Sequence, residues 1–351
     1  MAFFRQNTLI LVAYILIPVG ILALEYITAG ASLLWTMLFF VAISQGPIAV
    51  LAATEIAGSG WARPYKRAML SVRHMIPMTG ILFLVFALTG KVEELYLWTE
   101  HPNAWLDTTF FTARNVLLPI LAWMVAGKYA KESLGEGSKK TMWALFWVFT
   151  YVIGQSIVAF DWVMSLEYPW ISTLFGAYFF VEAFYGGLAF AAIFTAFRYQ
   201  DFLDAYEPKL FKKSFMDMMT LMFGFSIFWA YQFFSQYIVI WYGNIPEEVA
   251  WFTKRLDVFG LPLMLAVLGI LFVIPFVVLL SRKVKANPAL VRIVGLVIWA
   301  GLMLERVIFL GPYHHFTINP VVAGLEFIAV GLLFIWVVRS DTKTLTSAEP
   351  A

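Results

Sequence analysis

The chain has 351 residues, of which 62% are hydrophobic and only 13% are charged, with a net charge of +2. Roughly a quarter of the residues in an ordinary soluble domain are charged, so this composition excludes a soluble protein of this size. The small net charge gives no indication of nucleic-acid binding. The absence of cysteine excludes disulfides, thiolate-bound iron–sulfur clusters and covalently attached c-type haem.

Ten stretches of mostly apolar residues predict membrane-spanning helices, because about 20 residues of helix cross the hydrocarbon core of a bilayer. The alternation of apolar and polar residues that a transmembrane barrel needs is not seen. The sequence therefore predicts an all-α integral membrane protein with about ten transmembrane helices. In chain order, helices 1 to 10 are predicted at residues 8–29, 32–54, 70–90, 108–127, 141–160, 172–197, 215–242, 257–280, 289–310 and 318–338.

The positive charges are distributed unevenly between the two sides that ten spans create. An even number of spans places both termini on one side, and the loops on that side hold most of the 24 Lys and Arg residues. Cytoplasmic loops of membrane proteins carry an excess of these residues. We therefore predict that both termini are cytoplasmic.

Two glutamates fall near the middle of predicted helices, Glu182 in helix 6 and Glu326 in helix 10, and Glu25 lies near the outer end of helix 1. An ionised group near the bilayer centre costs ~3 kcal/mol or more unless it is paired or hydrated, so such a residue is a functional candidate. Charged groups at the cytoplasmic ends of the helices could extend a proton route. The candidates for proton half-channels are Glu25, Glu55, Arg73, His74, Glu182, Asp217 and Glu326. The alternative is that each buried glutamate is neutral, hydrogen-bonded and structural.

Residues 154–180 connect helix 5 to helix 6 and carry two carboxylates, Asp161 and Glu167, near Trp162 and Trp170. Trp and Tyr concentrate at the height of the lipid headgroups. We therefore expect a short aqueous loop at the membrane surface here. The carboxylates are either solvated helix caps or members of a functional site.

The outer ends of helices 3–5 and 7–9 share features at a nearly constant separation, which indicates an internal repeat. The separation runs from 141 residues (Arg114 to Arg255) to 144 residues (Asp161 to Glu305). Four spans per unit preserve the orientation, so the repeat would be parallel. It predicts two four-helix bundles, helices 2–5 and helices 6–9. The predicted units are residues 1–31 (peripheral helix 1), 32–165 (first bundle), 166–315 (second bundle) and 316–351 (peripheral helix 10 and a tail).

Three motifs, FDWVMSLEYPWISTLFGAYFF, FFSQYIVIWYGNIPEE and LYLWTEHP, carry a resemblance to a known family. They are similar to the ActF-type membrane subunit of bacterial alternative complex III, within the NrfD-like family of polysulfide-reductase-type membrane subunits. The resemblance is strong between residues 90 and 260. The fold that it implies, two four-helix bundles with flanking helices, agrees with the repeat.

The resemblance implies a subunit of a quinol-oxidising complex in the bacterial cytoplasmic (inner) membrane. The partners implied are membrane lipids, a paralogous NrfD-like subunit, and iron–sulfur and haem c subunits, with no nucleic acid. No tightly bound cofactor and no metal are implied for this chain, although menaquinone or ubiquinone could bind. The chain would then belong to an oxidoreductase without holding a redox centre itself.

Quinol oxidation releases two protons, so its site needs proton acceptors and hydrogen-bonding groups near the ring. Adjacent helical residues do not face each other, so we expect Arg306 to turn away from Glu305 and to pair with Asp257. The alternative is that these polar groups only join helices together. The outer-face candidates are Arg114, Gln155, Asp161, Gln232, Gln236, Asp257, Glu305 and Arg306.

Two other functions stay open at this point. Parallel repeats and midplane carboxylates also occur in secondary transporters. The chain could also be a purely structural membrane anchor for electron-transfer subunits. A haem site is disfavoured, because none of the four histidines falls in the middle of a predicted span and bis-histidine ligation needs facing pairs.

Overall fold

The computed structural model describes residues 2–28, 31–311 and 318–343. Within these ranges the chain forms helices and connecting turns, and no strand occurs. Shorter helices cover Ala2–Gln6, Lys91–Leu95, Leu97–Glu100, Tyr199–Ala205 and Arg282–Lys285. The ten long helices are α1 (Thr8–Ile27), α2 (Ser32–Ile56), α3 (Arg63–Leu88), α4 (Thr108–Leu134), α5 (Lys140–Glu167), α6 (Leu174–Phe197), α7 (Pro208–Gly243), α8 (Pro246–Leu279), α9 (Pro288–Leu310) and α10 (Pro320–Asp341).

Nine of these helices in the described residues are long and apolar enough to cross a membrane. The tenth, α7, has 36 residues, which extend about 54 Å at a rise of 1.5 Å per residue. Polar residues such as Gln232 and Gln236 keep its mean hydropathy below that of the other nine. The chain is therefore an all-α, multi-pass membrane protein with nine candidate spans in this part of the chain.

Each observed long helix overlaps a predicted span, but α3 and α7 begin seven residues earlier than predicted, α4 ends seven residues later, and α5 and α8 differ in shape as well as length. α5 does not end at residue 160, because it continues through a π-helical turn at Ala159–Val163 and a tighter turn at Met164–Glu167. The aqueous loop expected at Asp161 is therefore wrong, since this residue is buried inside the helix. α8 begins at Pro246 rather than at 257 and bends at Gly260, whose φ of 72° is a conformation that glycine adopts readily.

Neighbouring helices pack into two closed rings. α2 contacts α3, α3 contacts α4, α4 contacts α5, and α5 returns to α2. Helices α6 to α9 follow the same cyclic order, and α1 packs against α10 outside the rings. α2 and α6 lie where the rings meet: 94% of the most apolar stretch of α2 is buried, against 22% for α8. The outer helices instead expose large apolar side chains suited to lipid, among them Leu9, Leu117, Phe149, Val277 and Leu332.

Contacts between distant helices define two ends of the molecule. At the first, which we call the terminal face, Arg73 of α3 pairs with Asp341 at the end of α10 at 2.9 Å. At the other, which we call the far face, the Ser32 hydroxyl donates to the backbone carbonyl of Asn319 at 3.4 Å, where α2 and α10 begin.

α2 and α6 cross at two glycines, Gly46 and Gly187, with backbone against backbone. A Cβ at Gly46 would overlap the carbonyl oxygen of Ala183, and a Cβ at Gly187 would lie 2.5 Å from the nitrogen of Pro47. Small residues permit this approach, and close packing is a main source of helix association in membranes. The crossing sets the distance between the two rings.

Replacing Gly46 by alanine should destabilise the protein by about 1–3 kcal/mol or more, because the added methyl group has no space between the two backbones. Thermal unfolding of the purified chain in detergent micelles measures the loss. Gly224→Ala on α7 is the matched control, since nothing lies within 4 Å of a Cβ there. Equal stability of the two variants would contradict the tight crossing.

Candidate functional site

A buried ion pair joins α4 to α5 near the far face. Arg114 donates from Nε to Oδ2 of Asp161 at 2.6 Å and from Nη2 to Oδ1 at 2.9 Å, which is a bidentate geometry. Its third nitrogen, Nη1, donates to the carbonyl of Trp105 at 2.6 Å, and the Trp105 ring lies 4.3 Å from the guanidinium. Asp161 is completely buried and Arg114 almost so. One negative charge is thus matched by one positive charge.

The π-helical turn of α5 places Asp161 and Trp162 together against α4. Asp161 Oδ2 also accepts a hydrogen bond from Asn115 Nδ2 at 2.7 Å, and Asn115 Oδ1 accepts one from Trp162 Nε1 at 2.7 Å. Such a turn inserts one extra residue, which lets two adjacent side chains reach the same neighbour. The ring formed by α2 to α5 therefore holds a hydrogen-bonded, charge-balanced polar site.

Removing the cation of the Arg114–Asp161 pair should strongly destabilise the folded protein. Arg114→Ala leaves the buried Asp161 without its counter-charge, and we expect a loss of roughly 3–5 kcal/mol in the free energy of unfolding. The control is Lys140→Ala, which breaks the surface i,i+4 pair between Lys140 and Glu136. Exposed pairs contribute at most about 1 kcal/mol. Denaturation of both variants in detergent micelles tests the difference, and equal losses would contradict the burial of the Arg114 pair.

A second cluster, which we call the acidic cluster, comprises Tyr178 and Glu182 of α6, Trp229 of α7, and Glu305 and Arg306 of α9. Arg306 Nη1 forms an ion pair with Glu182 Oε1 and lies 3.7 Å from Glu305 Oε2. Glu305 Oε1 accepts hydrogen bonds from the Tyr178 hydroxyl and, at 3.2 Å, from Trp229 Nε1. Both glutamates and Arg306 are buried.

The acidic cluster contains two carboxyl groups for one guanidinium. The Glu182 and Glu305 carboxyl groups approach the same nitrogen, Arg306 Nη1, so they lie close to each other. Two carboxyl groups this close repel each other when both are ionised, which favours a proton on one of them. Arg306 Nε has no hydrogen-bond partner among the residues that the structure describes. The cluster can therefore hold a proton that the Arg114–Asp161 pair does not need.

The predicted pair of Arg306 and Asp257 is wrong. Asp257 is exposed on α8, whereas Arg306 points into the interior and meets Glu182. Adjacent Glu305 and Arg306 do share a site, against the expectation. The reason is that the long arginine side chain reaches across to α6 while its Nη1 remains near the Glu305 carboxyl.

The three predicted glutamines are buried and contact different parts of the chain. Gln155 Nε2 donates to the carbonyl of Val41 on α2 at 3.3 Å. Gln236 Oε1 accepts from the Ser172 hydroxyl, just before α6, at 3.0 Å. Gln232 Oε1 has no hydrogen-bond partner in the described ranges. Gln155 and Gln236 thus connect helices in the structure.

Glu55 belongs to a polar cluster on the terminal face. Its carboxylate accepts hydrogen bonds from the Tyr129 hydroxyl at 2.7 Å and the Ser133 hydroxyl at 2.8 Å, and it pairs with Lys66 at 2.9 Å. Lys66 Nζ also lies 2.5 Å from Glu136 Oε1. This arrangement ties the end of α2 to the start of α3 and the end of α4.

Glu136 provides a pH test of this terminal-face cluster. Hydrogen bonds from Lys140 and Lys66 lower the pKa of Glu136 from 4.5 to about 2. A lowered carboxyl pKa stabilises the folded state above the unfolded pKa, and the contribution is lost as pH falls through the folded pKa. The difference in unfolding midpoint between the wild type and Glu136→Gln should therefore be constant above about pH 5 and shrink between 4.5 and 2. A difference that grows on acidification would contradict this assignment.

Arg73 and His74 lie beside the end of α10 on the same face. Arg73 Nη1 is 2.9 Å from Asp341 Oδ2, and His74 Nε2 is 3.8 Å from that oxygen. The His74 ring stacks on Phe3 at 4.0 Å, and neither ring nitrogen has a hydrogen-bond partner in the part of the chain described. Asp217 is exposed and instead lines a cleft of about 680 Å³ between the start of α3 and the start of α7.

Glu25 of α1 and Glu326 of α10 meet outside both rings, near the far face. Their carboxyl groups lie close enough to interact directly, and both residues are buried. The seven residues predicted as proton-route candidates thus fall into separate groups. Glu182 lies in the acidic cluster, Glu25 and Glu326 form their own pair, and the others lie at the terminal face.

Asn115, Tyr178 and Trp229, whose side chains donate hydrogen bonds to Asp161 or Glu305, were missed in the sequence. Tyr178 had a usable signal, because it precedes Glu182 by four residues and i, i+4 side chains share a helix face. Asn115 and Trp229 had none, since their partners come from distant parts of the chain. Within the described residues, no group of three or more His, Asp or Glu side chains has metal-binding geometry.

Comparison with known proteins identified no relative of this chain. None of the family models compared with the chain matches it, and none of the curated proteins does so significantly.

Proposed function

We propose that this chain is a membrane subunit of a quinol-oxidising electron-transfer complex resembling alternative complex III. In this proposal the chain holds no redox centre, contacts lipid and quinol, and takes up protons at the acidic cluster. The proposal unites the motif resemblance, the helical membrane fold and the buried carboxyl groups. It rests most heavily on one observation, the two carboxyls of Glu182 and Glu305 against the single guanidinium of Arg306.

The excess of carboxyl groups supports proton uptake rather than a purely structural role. An ion pair that only joins helices needs equal charges, as in Arg114–Asp161. A second buried carboxylate without a cation costs several kcal/mol and favours binding of a proton instead. Tyr178 and Trp229 donate to Glu305, so they can also stabilise its ionised form after the proton leaves. The cluster can therefore alternate between two protonation states.

The packing supports the proposed parallel repeat. Gly46 and Gly187, which touch at the crossing of α2 and α6, are 141 residues apart, the same separation as Arg114 and Arg255. Each of these arginines donates Nη1 to a tryptophan carbonyl, that of Trp105 or Trp251. If a two-fold axis relates the two bundles, α2 and α6 are equivalent helices and should cross at equivalent residues. Gly46 and Gly187 meet this requirement.

A groove beside Arg114 supports contact with a quinol or a lipid. Its volume is about 350 Å³, and its lining is apolar except for Arg114. Ligand pockets of this kind combine a mainly apolar wall with a few polar groups. The other lining residues are Phe110, Ala113, Leu117, Leu118 and Leu121.

The proposal also covers location and partners. The basic terminal face would lie in the cytoplasm of a bacterium, with both termini on that side. The partners would be a paralogous NrfD-like subunit together with iron–sulfur and haem c subunits, and the mobile ligand would be menaquinone or ubiquinone.

Gentle affinity purification of the tagged chain from its native membrane tests the assignment. We expect haem absorbance and iron–sulfur subunits in the eluate, with quinol-oxidising activity. A chain that purifies alone and moves a solute in proteoliposomes would support a secondary transporter instead. Co-purification of redox subunits with no effect of any acidic-cluster variant would leave only a structural anchor.

Within the assembled complex, Glu305→Gln should lower quinol turnover roughly 100-fold or more, the range in which a positioned proton acceptor contributes. The pH dependence of turnover should change with it, which a structural role alone does not predict. Glu247→Gln is the control, because Glu247 is exposed near the same face. An assembled Glu305→Gln complex with wild-type turnover and pH profile would contradict the proposal.

A further inference from the structure

The first and last spans, α1 and α10, pack against each other and each carries a buried acid. Glu25 is 2% exposed on α1 and Glu326 is 1% exposed on α10, and the two carboxyl groups lie close enough to interact directly. The backbone N–H of Leu33, at the start of α2, donates to Glu25 Oε1 at 3.3 Å. Glu25 Oε2 and both carboxyl oxygens of Glu326 have no hydrogen-bond partner among the residues that the structure describes.

The surroundings of the pair supply little countercharge. Lys91 is a cation that acts on Glu25, but it is engaged in an ion pair with Glu94 at 2.7 Å. The helices packed against α1 and α10 are α2 and α3. The only ionisable group in α2 is Glu55, at the terminal-face end, and α3 has none between Ile76 and Leu88. Two ionised carboxylates would therefore repel each other, with only the Leu33 N–H and a lysine already paired to Glu94 to offset the repulsion.

We propose that Glu25 and Glu326 form a proton-binding site that holds one proton between them and thereby fastens α1 to α10. A carboxyl–carboxyl hydrogen bond needs a donor, and only a bound proton supplies it. When the proton leaves, the contact changes from attraction to repulsion. The site is separate from the acidic cluster and does not depend on the proposed function.

Glu25 and Glu326 lie on α1 and α10, which belong to neither ring. The protonation state of the pair should therefore change how firmly these two helices are held to the rest of the protein. α1 exposes large apolar side chains along its length, and its most apolar stretch is only 28% buried. Besides its contacts with α2 and α3, it is held by α10. Loss of the proton should therefore loosen α1 at the far-face end while the rings stay intact.

Unfolding of the purified full-length chain in detergent micelles, measured against pH, tests the site. The folded wild type binds a proton here that the unfolded chain lacks at neutral pH, so its stability falls as pH rises. In Glu326→Gln the amide donates to Glu25 without a proton. The ratio of wild-type to variant unfolding constants should then rise by up to about tenfold per pH unit through the titration.

Two variants complete the design. Glu100→Gln removes an exposed carboxyl in the connection between α3 and α4 and should reproduce the wild-type pH profile. The double variant Glu25→Gln with Glu326→Gln pairs two amides, so it should fold without this pH dependence even if a single variant fails to accumulate. A wild-type profile identical to that of the double variant would overturn the proposal. A rise in wild-type stability with sodium at high pH, absent in the double variant, would also overturn it in favour of a metal cation.

Discussion

A carboxyl group enclosed between membrane helices must be matched by a cation or keep a proton. Solvation by water is absent there, so an ionised acid without a partner costs several kcal/mol. Asp161 meets this constraint with Arg114 and Asn115. Glu182 and Glu305 meet it only in part, since they share Arg306. The difference between a matched acid and acids in excess separates the structural site from the proposed functional one.

The packing of the helices brings the excess acids together. The glycine crossing of α2 and α6 sets the two rings side by side, and the second ring places α6 against α9. Glu182 on α6 and Glu305 on α9 therefore face each other although 123 residues separate them in the chain. The same argument applies to Glu25 and Glu326, which are close only because the first and last spans pack together. In both cases the bundle concentrates acids that the sequence disperses.

Membrane helices could be predicted from the sequence because their apolar length is a local property. The bend of α8 also had a local signal in Gly260 and Pro262. The buried acids were recognised as unusual for the same reason, since each interrupts an apolar run. The motif resemblance and its function could be stated from the sequence but are tested only by experiment.

The pairing of the charges could not be predicted in the same way. The π-helical turn at Ala159–Val163 buries a segment that was expected to be a surface loop. No residue pattern in the sequence predicted this turn. The choice of Glu182 rather than Asp257 as the partner of Arg306 depends on which helix lies opposite α9. The choice of charge partner is set by tertiary packing. The periodicity of residues along one helix does not show which helix lies opposite it.

Infrared absorption of protonated carboxyl groups in the purified chain tests the central claim most directly. The comparison is between Asp161→Asn and Glu305→Gln at neutral pH. If the matched acid is ionised and the acidic cluster holds a proton, Glu305→Gln alters the carbonyl band of a protonated acid and Asp161→Asn leaves it unchanged. A band that disappears in Asp161→Asn, or that is the same in Glu305→Gln as in the wild type, would contradict the account.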